Sequence, residues 1–324
     1  MKLQRLKLLL QEPRGFHQKT KDFFRKFLKS TAPGLHFSPD PTGNWHLRIP
    51  LADGSTSRTL FVAHYDTVDS VDTARKELVH IGDTLSLKQE PPTLQVYPPD
   101  TLGYKYLKFD RRCLGADDGA GIEVLLSMAE AGVPGYYLLT WGEEAGAPGA
   151  YAAVETLDPD DFDRVISFDR RGTRSIITHQ WMGQTCSETF ALELARQLHM
   201  GHVPDPTGSF TDSAIFSNYS FPECTNISVG YNSEHSSRET LDLKYLSRLI
   251  QRCCCVSWET LPVEPIVTWV RPSDELVDLI QEYPRTTMYL LEDYGLAEEF
   301  LRELKNEHKL SNVRRRDRLS TGMW

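Results

Sequence analysis

The chain has 324 residues, a length that fits one large domain or two modest ones. Hydrophobic residues make up 40% and charged residues 25%, which is typical of a globular protein and excludes collagen-like and largely disordered chains. The formal net charge of −9 argues against nucleic-acid binding, and we interpret the basic run at 314–316 as a solvated tail.

The sequence also indicates no membrane span, since no run approaches the roughly 18 apolar residues that a spanning helix needs. The N-terminal apolar stretch covers only residues 8–10, which predicts an amphipathic helix and not a secretory signal. None of the six cysteines forms a CxxC pair, so we expect reduced thiols in a cytoplasmic protein.

The first half of the chain begins with apolar residues at helical spacing within 1–30. A turn at 40–44 precedes a short alternating strand at 45–49, and a fully apolar strand follows at 59–63. Residues 70–110 contain several prolines and few apolar runs, which predicts a loop-rich excursion. Residues 119–131 are then expected to form a helix.

Strands and helices alternate through the second half, at 136–141 and 164–168 (strands), 187–199 (helix), 225–229 (strand) and 241–256 (helix). This alternation predicts an α/β fold, a three-layer αβα sandwich with a mixed, mostly parallel central sheet. The sequence becomes charged and helix-rich after Pro262 and Pro265. We therefore expect one domain at 1–262 and a C-terminal helical extension at 263–324.

Histidines and carboxylates directly follow the predicted strands or, for Asp117, the loop-rich excursion at 70–110. They are His64 with Asp66, Asp117, the pair Glu143-Glu144, Asp169, and His235. Ligands gather at the carboxyl ends of the strands in open α/β sheets, so these side chains are expected to converge. Taken singly, each has an ordinary structural explanation, such as a helix cap for Asp117 or a solvated pair for Glu143-Glu144. Their repeated position behind apolar strands favours a common site.

Imidazole and carboxylate groups without thiolates are typical zinc ligands. Two histidines and three carboxylates exceed the needs of one tetrahedral catalytic zinc, but they suit two divalent ions that share a bridging carboxylate. Asp66, two residues after His64, is predicted to accept the second ring N–H of that histidine. Glu143 is predicted to accept the proton of the activated water and pass it to the leaving amine.

These residues, in this order, resemble the co-catalytic di-zinc exopeptidases, a clan that includes leucyl and tripeptide aminopeptidases, aminoacylases and glutamate carboxypeptidases. The matching motifs are His64-x-Asp66, Gly115-Ala116-Asp117-Asp118-Gly119-x-Gly121, Glu143-Glu144, Asp169 and His235, within roughly residues 40–245. The resemblance implies two zinc ions, one held by His64 and Asp169, the other by Glu144 and His235, with Asp117 as bridge. It also implies Glu143 as general base, Asp66 as orienting residue, and a cis peptide bond between Asp117 and Asp118.

Clan members with a lid domain insert it between the fourth and fifth ligands, and the short interval from Asp169 to His235 resembles the lid-less branch instead. Thr211-Asp212 resembles a pair that lies near the substrate in some members, so Asp212 is a candidate substrate contact. Arg170 is another candidate, because a guanidinium in the cleft would clamp a substrate carboxylate. The alternative for Arg170 and Arg171 is a surface ion pair with Asp161 or Asp163.

The sequence therefore predicts hydrolysis of a terminal amide bond, with a peptide or an N-acyl amino acid as substrate. An aminopeptidase is the first hypothesis, and a carboxypeptidase or amidohydrolase of the same clan is the alternative. A protein that uses the same fold for binding without catalysis is the rival from another class. Motifs of P-loop, dinucleotide-binding, serine-hydrolase and single-zinc HExxH proteins do not occur.

Overall fold

The computed structural model describes residues 1–70, 74–88, 112–180 and 183–264, together with the backbone of 95–96 and 107–108. The boundary predicted at residue 262 falls at the end of this part, and the helical extension predicted for 263–324 lies almost wholly outside it. Both stay predictions. None of the helices within the described residues is long and apolar enough to span a bilayer.

The described chain begins with two helices and a run of strands, and from residue 116 onward helices and strands alternate. The helices are α1 Leu3–Gln11, α2 Gln18–Thr31, α3 Ala116–Glu130, α4 Pro148–Thr156, α5 Glu188–Leu198, α6 Asp212–Asn218 and α7 Leu243–Cys253. The strands of the first half are β1 Ser38–Pro39, β2 Trp45–Ile49, β3 Thr59–His64, β4 Leu78–Ile81, β5 Thr84–Leu87, β6 Gln95–Val96, β7 Leu107–Lys108 and β8 Gly135–Thr140. Those of the second half are β9 Arg164–Arg170, β10 Ser175–Ile177, β11 His179–Gln180, β12 Gly183–Gln184, β13 Val203–Asp205, β14 Cys224–Ser228, β15 Tyr231–Asn232 and β16 Thr240–Asp242.

The main sheet has eight strands in the order β1-β2-β8-β3-β9-β14-β10-β13. Its four central strands, β8, β3, β9 and β14, run parallel to one another, and β2 and β10 flank them in the antiparallel direction. The predicted mixed, mostly parallel sheet is thus confirmed. The carboxyl ends of the four parallel strands lie along one edge, which is where the candidate residues follow.

The strands at the centre of this sheet are buried on both faces, so alternate residues enter two different hydrophobic clusters. Phe61 and Ile166 pack with residues of α1, α3, α5 and α7 on one face. Leu60 and Val165 pack with residues of α4 and α6 on the other face. Burial of each such side chain stabilises the folded state by about 1.5–3 kcal/mol relative to leaving it exposed. Helices on both faces confirm the predicted three layers.

A second, four-stranded sheet has the order β15-β16-β5-β4. Its strands β4 and β5 form a hairpin within the stretch that we predicted to be loop-rich, and for residues 78–87 that prediction is wrong. The hairpin turns at Gly82-Asp83, with Gly82 at φ 58°, a backbone conformation suited to a tight turn between short strands. Because β5 pairs with β16, this sheet supports the loop that carries His235.

Candidate metal centre

Four of the candidate donors lie at or just beyond the carboxyl ends of central strands, Asp117 lies at the start of a helix, and His235 lies in the loop between β15 and β16. His64 is the last residue of β3, and Asp169 lies near the end of β9. Glu143 and Glu144 form a single 3₁₀ turn after β8. Asp117 lies in the first turn of α3, where the peptide bond to Asp118 is cis, as the resemblance implied.

Asp117 stands between two histidines. Its Oδ1 is 3.0 Å from Nε2 of His64, and its Oδ2 is 3.1 Å from Nε2 of His235. On the first side, Asp169 Oδ1 lies 3.5 Å from the same His64 nitrogen. On the second side, Glu144 Oε1 lies 2.8 Å from the His235 nitrogen. The structure therefore brings together all five residues predicted as metal ligands.

The close groups form two donor sets that share one carboxylate. His64, Asp117 and Asp169 offer ligand atoms within 4.8 Å of one another, and so do Asp117, Glu144 and His235. His64 is also within this distance of Glu143 and Glu144, which places Glu143 at the same centre. Asp117 belongs to both sets, and its predicted role as a bridge between two ions stays a prediction.

The electrostatics of the cluster favour bound cations. Burial raises the pKa of Glu143, and the charges of Asp169 and Asp212 raise it further. Burial and the neighbouring Asp117 likewise raise the pKa of Asp169. Carboxylates that repel one another in a buried site lose this repulsion when divalent ions bind among them. The residues present therefore fit a pair of divalent metal ions.

Protonation of the two histidines offsets part of the negative charge of these carboxylates. Burial opposes protonation of His64, but Asp169 and Asp117 outweigh it, and the pKa of His64 rises well above its usual range. Hydrogen bonds to Asp117 and Glu144 raise the pKa of His235 to about 11. Metal ions need neutral imidazoles, so metal binding at this centre would release protons.

Asp66 has a different partner from the one predicted. Nδ1 of His64 hydrogen-bonds the backbone oxygen of Asp66 at 3.1 Å, whereas the nearest carboxylate oxygen is 3.7 Å away. The carboxylate instead accepts N–H bonds from Gly142 (2.8 Å), Glu143 (3.2 Å) and Glu144 (3.3 Å). Asp66 thus holds the turn that carries Glu143 and Glu144.

Three residues contact Asp169 that the sequence did not indicate as its partners. The hydroxyl of Thr211 donates to Oδ2 of Asp169 at 2.8 Å, and that of Tyr231 donates to Oδ1 at 3.1 Å. The side-chain oxygen of Asn226 accepts the Asp169 backbone N–H at 2.8 Å. Thr211 was visible in the sequence as the neighbour of Asp212, but Tyr231 and Asn226 carried no comparable signal.

Asp212 is buried and is not among the residues that line the cavity beside the donors. It is 2% exposed, and its carboxylate accepts a hydrogen bond of 2.5 Å from the hydroxyl of Thr140. Burial raises the pKa of Asp212 to about 7. The predicted contact between Asp212 and substrate is therefore wrong, because the surrounding chain buries this carboxylate.

A cavity of about 370 Å³ opens beside the donor groups. Carboxylates of both donor sets line this cavity, as do Ile177, Gln180 and Phe210. Arg170, the other predicted substrate contact, is also among the lining residues, and its contact with substrate stays a prediction. A molecule in the cavity would thus meet the donors together with apolar and polar side chains.

The surface ion pairs offered as an alternative for the two arginines do not form. Nη2 of Arg170 donates to the carbonyl and hydroxyl oxygens of Thr207, at 3.0 and 3.1 Å. Arg171 pairs with Glu234 at 3.0 Å. Asp163 pairs instead with Arg58, at 2.8 Å. Nε of Arg170 is buried and has no hydrogen-bond partner within the described part of the chain.

No protein-family model and no curated protein sequence matches the chain. Solved structures do match its fold. Aminopeptidase PepT from Bacillus cereus superposes with a TM-score of 0.58 at 14% identity, covering 78% of this chain and 96% of that one. A tripeptidase from Staphylococcus aureus gives 0.57 at 14% identity, covering 78% and 95%. An aminopeptidase from the archaeon Desulfurococcus kamchatkensis gives 0.53 at 16% identity, covering 82% and 98%.

These likenesses establish the architecture. The chain has the α/β fold of the aminopeptidases that it superposes on, and the fold implied by the motif resemblance is confirmed. Fold alone does not fix a reaction, so the function has to be argued from the site.

Proposed function

We propose that this protein is a metal-dependent exopeptidase that hydrolyses a terminal amide bond, acting as an aminopeptidase with two zinc ions. The observation that carries the proposal is the position of Asp117, whose two carboxylate oxygens lie 3.0 and 3.1 Å from two different histidines. Histidine and carboxylate ligands without thiolates are the donor chemistry that zinc accepts in hydrolytic sites.

His64 and Asp169 would hold one ion, and Glu144 and His235 the other, with Asp117 shared between them. Paired ions in such sites polarise a carbonyl oxygen and lower the pKa of water. Asp66 keeps Glu144 in place through the backbone of its turn. Thr211 and Tyr231 fix the Asp169 carboxylate.

Glu143 is the proposed general base. Its carboxylate belongs to the same centre as His64 and Glu144, and it lines the cavity where a substrate would lie. A carboxyl group whose pKa is raised by burial accepts a proton from water and releases it again to the leaving amine.

An aminopeptidase is favoured by the charge of the cleft. Asp117, Glu143, Glu144 and Asp169 all line it, and Glu143, which is not a proposed metal ligand, keeps a carboxylate that attracts a protonated amine. The aminopeptidases with this fold add support. Arg170 on the same cavity is the specific observation in favour of the second candidate, a carboxypeptidase or N-acyl-amino-acid hydrolase.

Glu143→Gln tests the mechanism in zinc-loaded protein. We expect two ions per chain to be retained, because the variant keeps the proposed ligands. Turnover should fall about 10²- to 10⁴-fold, the usual contribution of a general base. Full activity in Glu143→Gln would refute the assigned role. A wild-type protein that binds less than one ion per chain, and stays inactive with added zinc or cobalt, would support the non-catalytic alternative.

A substrate panel separates the two activities. Amino-acid amides carry a free amine and no free carboxylate, whereas N-acyl amino acids carry the reverse. We expect the amides to be cleaved. Cleavage of the N-acyl amino acids alone would overturn the aminopeptidase assignment.

A further inference from the structure

Arg14 lies beneath the centre and joins two of the loops that carry donors. Its side chain is fully buried, with 0% exposure. Nη1 donates to the carbonyl oxygen of Tyr65 at 3.1 Å, and Nη2 donates to that of Gly115. Tyr65 directly follows His64, and Gly115 precedes Asp117 by two residues. One guanidinium therefore ties the loop of His64 to the loop of Asp117.

Glu239 makes the corresponding connection to the third loop. It is 0% exposed, and its two oxygens accept the N–H groups of Gly115 at 2.8 Å and Asp117 at 2.9 Å. Glu239 follows His235 by four residues, just before β16. A single carboxylate therefore ties the loop of His235 to the loop of Asp117.

The two connections meet at Gly115. The carboxylate of Glu239 accepts a hydrogen bond from the N–H of Gly115, and the guanidinium of Arg14 donates one to its carbonyl oxygen. Both backbone polar groups of Gly115 are therefore hydrogen-bonded. Gly115 has φ 76°, and a Cβ there would lie 2.9 Å from Nη2 of Arg14 and 3.2 Å from Cγ2 of Thr67. Any side chain at this position would push the guanidinium away from the carbonyl.

Lys76 and Asp69 are buried in the same region as Arg14 and Glu239. The formal charges of these four side chains sum to zero. Nζ of Lys76 lies 2.8 Å from Oδ2 of Asp69 and 3.3 Å from the carbonyl oxygen of Leu114. The same Asp69 oxygen accepts the backbone N–H of Arg14 at 3.4 Å. Two cations and two carboxylates are thus buried together, at a desolvation cost that demands good geometry. None of the four is a proposed metal ligand.

We propose that Arg14 and Glu239 are positioning residues, which set the spacing of the two donor groups by fixing the backbone of residues 115–117 against the His64 and His235 loops. Asp117 is shared, so a shift of its backbone displaces one carboxylate oxygen from each group. Both ions should then bind more weakly together. This inference rests on the proposed two-ion site.

The test is a Co²⁺ titration of the metal-free full-length protein, followed by the visible absorption of bound cobalt. Glu239→Gln keeps the size of the side chain but turns an amide NH₂ toward one of the two N–H groups. Arg14→Lys keeps the charge but loses the planar fork that reaches two carbonyls. For both variants we expect about 10- to 100-fold weaker binding of both ions, as for other residues that orient ligands.

Arg5→Lys is the matched control. The Arg5 side chain is also buried, and it pairs with Glu123 at 2.7 Å and Glu130 at 2.6 Å, away from the donor loops. We expect this variant to lower the melting temperature of the metal-free protein while leaving cobalt affinity unchanged.

Folded Glu239→Gln and Arg14→Lys proteins that bind two Co²⁺ with wild-type affinity would overturn the inference. An equal loss of affinity in Arg5→Lys would overturn it as well, because a general loss of stability would then explain the effect. If Arg14→Lys does not fold, Glu239→Gln decides the question alone. Failure of the wild type to bind two ions would instead refute the proposed function.

Discussion

Replacement of Asp66 by asparagine tests the role that the structure gives to this carboxylate. The three N–H groups of Gly142, Glu143 and Glu144 point at it, at 2.8, 3.2 and 3.3 Å. Hydrogen bonds to a charged group contribute about 1.5–3 kcal/mol and neutral ones about 1 kcal/mol. An asparagine keeps one oxygen for two of these bonds and turns its NH₂ toward the third.

The expected loss of unfolding free energy is therefore about 1 kcal/mol for each of the two retained bonds and 1–3 kcal/mol for the broken one, in total about 3–5 kcal/mol. Turnover should fall about 10- to 100-fold, because Glu143 and Glu144 lose the group that holds their turn. Urea unfolding of the metal-free protein measures the first quantity, and steady-state kinetics on an amino-acid amide measures the second.

Glu223→Gln is the control for a stability effect alone. Glu223 is also fully buried and accepts the backbone N–H groups of Ser187 and Glu264, both at 2.8 Å, but it lies at the start of β14, at the opposite end of the strand from the donors. We expect a similar loss of stability with unchanged turnover. Unchanged turnover in Asp66→Asn, or an equal loss in Glu223→Gln, would refute the reasoning.

Three further predictions concern pH, packing and metal. Burial lowers the pKa of His202 to about 4, from about 6.5 in the unfolded chain, so unfolding free energy should drop by up to about 3 kcal/mol as the pH falls from 7 to 4. His202→Gln, which cannot gain this proton, should show a smaller drop in urea titrations across that range, and an identical drop would contradict the assignment. Gly121→Ala should destabilise by more than the usual 1–3 kcal/mol of overpacking, because its Cβ would lie 2.1 Å from the Phe168 carbonyl oxygen. Gly34→Ala, with nothing within 4 Å, should be tolerated, and equal melting temperatures for the two variants would contradict this. Zn²⁺ at 100 times its dissociation constant should stabilise the metal-free protein by about 2.7 kcal/mol per site, and a melting temperature unmoved by zinc would contradict the site.

The sequence indicates where several donors converge, because these donors directly follow strands that are largely apolar. His64 and Asp169 end or nearly end such strands, and a parallel sheet brings those ends to one edge. The long apolar runs that signal β3, β8 and β9 are the same feature that fixes their position in the middle of the sheet.

The sequence did not predict the strands and helices that lack a long apolar run or a clear amphipathic pattern. Strands β4 and β5 are short, only Leu85 and Leu87 in them are buried, and several prolines follow them in the sequence. Helix α4 is rich in alanine and glycine and has no amphipathic pattern, because its small residues pack closely against the sheet. These elements depend on tertiary contacts more than on local pattern.

The sequence also does not predict contacts between distant parts of the chain. Arg14 precedes Gly115 by about a hundred positions, and nothing in its neighbourhood indicates a role at the centre. The chemistry of Asp66 was apparent, but whether its carboxylate or its backbone oxygen would meet His64 depends on loop geometry that residue types do not specify.

The most direct test of the two-ion site is a crystal structure of the zinc-loaded protein, with anomalous maps at the zinc absorption edge. The account predicts two peaks about 3.5–4 Å apart, one on each side of the Asp117 carboxylate. One peak would lie beside His64 and Asp169, and the other beside Glu144 and His235. A single peak, or peaks away from Asp117, would contradict it.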